Sequence, residues 1–309
     1  MNNRIKTIDI AKGLGILLVV IGHSMQTGSY PMRVIWTCHM PLFFFLSGLC
    51  YNRYKYTFGT LLKIRSKQLL VPLLLFSAIL LVLRIPILSF PAHFSIWNLF
   101  PFSLWFVFIL FLTELFGFYI VRLPIYTIIV IGLGSVILYN HGIKLPYSLS
   151  SLPAAIMFYS IGHKLRQKQE ANVGNVNTIN KWGGGILGLL ILSYAYFDPV
   201  YLSMCDGVIP LFSLFIAIGG IILIMGMSRK LESTSISHQL IFLGKNTFVI
   251  MAVHQFFMYI ANVHIKPILS DGFLEMATYK IIQQIIMWSG VMLSIWFVNN
   301  KAKWMIGKQ

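Results

Sequence analysis

Long apolar runs recur through the whole chain and constrain its fold more than any other feature. Each run approaches the length that a helix needs to cross roughly 30 Å of hydrocarbon. Only helices and closed barrels satisfy the backbone inside lipid, and these runs are too continuous for barrel strands. The sequence therefore predicts an all-α bundle of about ten transmembrane helices. They lie at about residues 8–27, 34–51, 68–88, 102–121, 124–140, 148–164, 183–200, 207–227, 241–262 and 279–299.

The composition excludes a soluble nucleic-acid-binding protein. Hydrophobic residues make up 57% of the 309 positions and charged residues only 10%, whereas about a quarter of a soluble domain is charged. The net charge of +16 comes from short basic clusters between the apolar runs, as membrane topology requires. We therefore expect membrane lipids, and not nucleic acid, as partners. Cys38, Cys50 and Cys205 show neither a disulfide framework nor a metal-binding spacing.

The basic residues also predict an orientation. Most Lys and Arg residues precede the first run or follow an even-numbered run, which places both termini in the cytoplasm. The opposite side holds only Arg33, Arg84, Lys144, Lys266 and Lys280. The first run lacks a small-residue cleavage site and is predicted to be a retained helix. We expect one membrane domain over residues 1–309, with a polar cytoplasmic connector at about 166–182; the sequence does not indicate an oligomeric state.

The first predicted helix carries three ionisable residues. Asp9 and Lys12 lie one turn apart near its cytoplasmic end, and His23 lies near the outer end, roughly 20 Å away at about 1.5 Å per residue. Ionisable groups inside a membrane are functional by default, and a neutral imidazole can take a proton near pH 7. His23 is thus a candidate general base. Asp9 and Lys12 either form a buried ion pair or interact separately with the helix terminus and the interface; both interpretations stay open.

The second predicted helix begins with His39, at a depth that should match that of His23. The two rings would converge if both helices faced the same cavity, although an interfacial histidine at a helix start is an equal alternative. Ser47 on the same helix is a small residue that favours close helix contact. We include it among the candidate substrate- and donor-binding residues.

Further candidates follow along the chain. Lys63, Arg65 and Lys67 form a basic cluster that either contacts lipid phosphates or holds the phosphates of a nucleotide-like donor. Glu114 lies within an apolar run and must pair, protonate or face water, and His254 is a second intramembrane histidine. We predict no bound cofactor and no metal site. Acidic residues in predicted outer loops could line an entry for a hydroxyl-rich substrate, namely Asp198, Asp206, Asp271 and Glu275.

The segments RIKTIDIAKGLGILLVVIGHS, HMPLFFFLSGLCY and KIRSKQLLVP together resemble the acyltransferase 3 family of integral membrane acyltransferases, most closely its polysaccharide and fucose O-acetyltransferase branch. The resemblance implies O-acylation, usually acetylation, of a sugar hydroxyl by cytoplasmic acyl-CoA. The essential histidine of the first family helix falls on His23, the acid and base on Asp9 and Lys12, and the second-helix histidine on His39. The basic family motif falls on Arg65 and Lys67, but Gln68 stands where a further basic residue is frequent.

The resemblance implies that the acyl arm of acetyl-CoA enters from the cytoplasm, and that a glycan or lipid-linked sugar accepts the acyl group outside. His23 would deprotonate the hydroxyl or carry the acyl group itself, and His39 would orient His23 or the thioester. The expected location is the plasma membrane of a bacterium. The alternative is a polytopic transporter or flippase of a glycolipid or small solute, although no inverted repeat is detectable in the sequence.

Overall fold

The computed structural model describes residues 3–88, 100–170, 187–188, 190–191, 193–194, 202–268 and 272–307. These residues contain helices and one isolated bridge between Ser203 and Val208, but no strand. The prediction of an all-α fold is confirmed. The helices are α1 (Asn3–Ser24), α2 (Tyr30–Trp36), α3 (His39–Cys50), α4 (Phe58–Arg65), α5 (Val71–Leu88), α6 (Trp105–Ile120), α7 (Ile125–Asn140), α8 (Leu152–Glu170), α9 (Leu211–Leu231), α10 (Ser237–Lys245), α11 (Thr247–His264) and α12 (Phe273–Lys301).

Seven segments in the described ranges are long and apolar enough to cross a membrane. The helix α7 is apolar but shorter, and α8 ends in the polar sequence HKLRQKQE. Most of the predicted span 183–200 and most of the 166–182 connector lie outside the described residues. The chain is thus a multi-pass membrane protein, while the count of ten and the cytoplasmic termini stay predictions. The seven segments are Lys6–Ser24, Tyr30–Cys50, Phe58–Leu83, Phe102–Ile120, Leu211–Leu231, Thr247–Ile268 and Leu274–Lys301.

The chain divides into two compact units. The first comprises residues 1–63 and 109–245. In it α1 packs against α3, α9 and α10, and α8 packs against α3 and α7. Since α1 and α3 carry most of the predicted site residues, this unit contains the candidate catalytic groups.

Glycines allow these helices to touch backbone to backbone. A Cβ added to Gly13 would lie 2.1 Å from the Leu240 carbonyl oxygen, and one added to Gly244 would lie 1.9 Å from the Asp9 carbonyl oxygen. The two contacts are reciprocal and bring α1 against α10. Gly48 of α3 packs in the same way on α8, since a Cβ added to it would lie 1.8 Å from the Tyr159 carbonyl oxygen. Small residues at helix contacts permit this close approach in membranes.

The predicted second span is broken into two helices, α2 and α3. The break falls at Thr37 and Cys38, where Cys38 leaves helical geometry at φ −126°. Pro41 explains part of this break, since proline lacks an N–H and is tolerated only in the first turn of a helix. The break makes His39 the first residue of α3. The prediction that His39 begins a helix is confirmed. The run predicted at about residues 34–51 corresponds to the apolar segment Tyr30–Cys50, which the break divides into two helices.

The second unit comprises residues 64–108 and 246–309, and its main contact joins α11 to α12. Gly290 of α12 packs directly on the ring of Phe257. Tyr279 donates a hydrogen bond to the side-chain oxygen of Asn262, and the Gln283 amide donates to the same oxygen at 2.7 Å. Such side-chain bonds between membrane helices contribute about 0.6 kcal/mol each on average.

Candidate active site

His39 closes the C-terminal end of α2. The last carbonyls of a helix lack partners within the helix, and the ring nitrogen Nδ1 of His39 donates to the Ile35 carbonyl at 3.0 Å. Thr37 donates from its hydroxyl to the Arg33 carbonyl at 2.8 Å. A carbonyl only accepts, so in the neutral imidazole the proton is on Nδ1 and Nε2 carries a lone pair. His39 is 4% exposed, and its fixed tautomer leaves Nε2 as a hydrogen-bond acceptor.

Trp36 contacts both predicted histidines. Its ring centroid lies 5.6 Å from that of His23 in an edge-on arrangement and 5.9 Å from that of His39. Gly22 permits this, because a Cβ there would lie 3.0 Å from the indole nitrogen. The end of α1, the end of α2 and the start of α3 therefore meet around one indole. Sequence reasoning missed Trp36, because a helix break separates it from His39 and a turn separates it from α1.

Asp9 and Lys12 lie at the other end of α1, and both side chains are half-buried. Within the described part of the chain no ion pair joins their charged groups. The position of Asp9 is instead fixed by helix packing, because its backbone carbonyl lies directly against Gly244 of α10. Thr7, in the first part of α1, donates a hydrogen bond to the carboxylate of Glu232, which directly follows α9. The acid and the base of the first helix are therefore held by helix packing.

Ser47 and Glu114 are brought together, which their separation in sequence did not predict. The Ser47 hydroxyl donates to Glu114 Oε1 at 2.6 Å. Glu114 is 3% exposed, and a buried carboxylate requires such hydrogen bonds because its desolvation is unfavourable. The bond joins α3 to α6.

The basic cluster lies where α4 passes into α5. The segment Ser66–Leu70 between them is a π-helical turn, a local distortion that is frequent at functional sites. The Arg65 guanidinium donates to Gln68 Oε1 at 2.8 Å. Gln68, which stands where a further basic residue was expected, therefore fixes the side chain of Arg65. Lys63 and Lys67 are exposed.

His254 is fully buried in the second unit. Its Nδ1 donates to the carbonyls of Ile250 and Met251, at 2.9 and 3.0 Å, within its own helix α11. As in His39, the neutral ring therefore presents Nε2 as an acceptor. Of the predicted outer-loop acids, Asp198 and Asp271 lie outside the described residues, and Asp206 accepts a 2.5 Å hydrogen bond from Ser203.

Comparisons with known proteins point to one family. The model of the acyltransferase 3 family, described as an acyltransferase domain, matches residues 5–303. The nodulation protein NolL of Sinorhizobium fredii (strain NBRC 101917 / NGR234) is 34% identical over 97 residues, which cover 26% of this chain and 25% of that protein. The chain thus matches only about a quarter of the length of this relative. No solved structure matches. These matches favour an acyltransferase over a transporter.

Proposed function

The chain belongs to the acyltransferase 3 family, and from that premise we propose that it moves an acyl group, normally acetyl, from cytoplasmic acyl-CoA to a sugar hydroxyl. The acceptor is a cell-surface or secreted polysaccharide or its lipid-linked precursor, and the membrane is the bacterial plasma membrane. The observation that carries this proposal is the contact of His23 and His39 with one indole at the meeting point of α1, α2 and α3.

His23 takes the proton of the acceptor hydroxyl in this proposal. The hydroxyl oxygen then attacks the thioester carbonyl, the C–O bond forms, and the C–S bond breaks to release the CoA thiolate, which receives the proton. His23 can alternatively carry the acyl group for one step, with the same net balance. General-base assistance of this kind contributes about 10²–10⁴-fold to a rate.

His39 and Trp36 position these groups. The bond from His39 to the Ile35 carbonyl fixes its ring, and Trp36 holds the ring of His23 from the side. His39 Nε2 then orients either His23 or the thioester. A His39→Ala variant with full activity would remove this role.

The donor enters from the cytoplasm with its thioester outermost. Lys67 lies on the π-helical turn and Arg65 directly precedes it, where positively charged groups can contact the phosphates of the donor. Asp9 and Lys12 lie at the cytoplasmic end of α1 in this proposal. They provide polar contacts for the acyl arm of the donor, which extends from there toward His23. Glu114 with Ser47, and His254, are further candidate contacts of the arm and the acceptor.

The test measures ester-linked acetate on the surface glycan of cells that express the wild type, His23→Ala or His141→Ala at matched membrane levels. His141 is an exposed histidine after α7 and serves as the control. Acetate in the wild type and the control, with a loss of at least about 10²-fold in His23→Ala, supports the proposal. Equal acetate in all three contradicts the role of His23, and transport of unmodified glycolipid without acetate contradicts the acyltransferase itself.

A further inference from the structure

A second histidine site lies in the first unit at the end of α3 opposite His39. His163 of α8 is 2% exposed, and its Nδ1 donates to the Tyr51 carbonyl at 3.2 Å. Within the residues that the structure describes, Nε2 of this ring is buried and has no hydrogen-bond partner. A buried acceptor without a partner is unfavourable, so a ligand that offers a hydrogen-bond donor to Nε2 would be stabilised at this position.

Three basic side chains lie within electrostatic reach of this ring. Arg53, Lys164 and Arg166 all act on His163 electrostatically, and Arg166 also donates to the Cys50 carbonyl at 2.8 Å. All three are half-buried. Because Nδ1 carries the proton that is donated to the Tyr51 carbonyl, Nε2 of the neutral ring accepts a hydrogen bond instead of donating one. Burial first, and then the three cations, disfavour the charged form of the ring.

The cluster therefore requires an unusual combination in its ligand. The three cations attract a negative group such as phosphate, whereas His163 Nε2 needs a hydrogen-bond donor. A phosphorylated ribose satisfies both requirements, because its hydroxyls stand beside the phosphate. An aromatic surface is adjacent: Tyr54 is 81% exposed, and the Arg53 guanidinium lies 4.7 Å from the centre of its ring. A nucleotide base can stack on such a tyrosine, whatever its sequence identity, because every base has a π-face.

We propose that His163, Arg53, Lys164 and Arg166 bind the phosphorylated ribose of a nucleotide, which is the nucleotide end of the acyl donor. This inference rests on the proposed function and on the predicted topology, which places the end of α8 in the cytoplasm. The distance fits the assignment. The helix α3 has 12 residues and spans about 18 Å, so the arm of the donor runs along it from the cluster to His39.

The test titrates fluorescent adenosine 3′,5′-bisphosphate onto the full chain in phosphatidylcholine nanodiscs. His163→Asn is the informative variant, since the asparagine amide replaces Nδ1 in the bond to Tyr51 but offers nothing at the position of Nε2. We expect His163→Asn and Arg53→Gln each to weaken binding by about tenfold or more. The control, Lys168→Gln, removes an exposed charge from the same helix end and should bind like the wild type.

Several results would overturn the site. In one case the wild type binds no nucleotide at all, and in a second case all variants bind it equally. In a third case, wild-type binding is lost when phosphatidylglycerol is added, and this result would assign the cluster to lipid phosphate. The same nanodiscs are assayed for transfer from acetyl-CoA to glycan. Variant-sensitive binding without any transfer contradicts the proposed function alone, and transfer without variant-sensitive binding contradicts the nucleotide site alone.

Discussion

Substitution of Gly13 by alanine tests whether helix contact positions the first-helix acid and base. The new Cβ would lie 2.1 Å from the Leu240 carbonyl oxygen, whereas real Cβ atoms essentially never approach within 3.0 Å. The helices α1 and α10 must therefore separate by at least about 0.9 Å, because the obstacle is backbone and cannot rotate away. Overpacking of this kind destabilises by about 1–3 kcal/mol, and we expect the upper end.

The same displacement should reduce activity. Gly13 adjoins Lys12, and the reciprocal contact at Gly244 lies on Asp9, so a shift of about 1 Å moves both candidate groups. A misplacement of that size lowers a rate by about 10²-fold. We expect Gly13→Ala to lose about 10²-fold in acetate transfer per folded molecule, together with a lower unfolding midpoint in detergent.

The matched control is Gly226→Ala. Gly226 lies inside α9, and a Cβ there meets nothing within 4 Å. Removal of a helix-interior glycine should leave the midpoint unchanged or raise the stability by up to about 1 kcal/mol. A Gly13→Ala protein that melts and reacts like this control would refute the packing argument. A lower midpoint with an unchanged rate per folded molecule would refute only the claim that the contact positions Asp9 and Lys12.

Three further predictions concern single contacts. Ser47→Ala removes a hydrogen bond to the buried Glu114 carboxylate and should lower the free energy of unfolding by about 1–3 kcal/mol. Glu114→Gln keeps an acceptor for the Ser47 hydroxyl and should therefore lower it by less. Equal losses for the two variants in thermal unfolding would argue against this bond. Tyr279→Phe breaks a bond between α11 and α12 and should cost about 0.6 kcal/mol in the same measurement without changing the rate of transfer. Trp36→Ala removes the contact shared by both histidines and should lower acetate transfer by at least about tenfold at matched membrane levels, whereas transfer at the wild-type rate would exclude a positioning role.

The sequence predicted the helices well because length and hydropathy determine which segments can cross a membrane. Segments close to seven of the ten predicted runs reappear as long apolar helices. The break inside the second run was not predicted, since its apolar composition continues across Thr37 and Cys38 while the backbone changes direction. Pro41 was the available signal.

Tertiary contacts were harder to predict than helices. Helical spacing placed Asp9, Lys12 and His23 on one helix, but it contained no information on Trp36, whose contact with His23 depends on the turn between α1 and α2. The bond from Ser47 to Glu114 crosses 67 residues, and no periodicity relates residues so far apart. His163 was overlooked because the basic residues beside it were interpreted only as topology signals.

A truncated donor can separate the His163 cluster from every effect on folding. S-acetyl-N-acetylcysteamine carries the acetyl thioester but no nucleotide, so it can reach His23 and His39 without contacting His163. His163→Asn should then lower kcat/KM for acetyl-CoA by about tenfold or more, the value of one lost hydrogen bond to a buried group. The rate with the truncated thioester should be the same in variant and wild type. A defect in folding or in the chemistry would lower both rates together, and that outcome would contradict the assignment of His163 to the nucleotide.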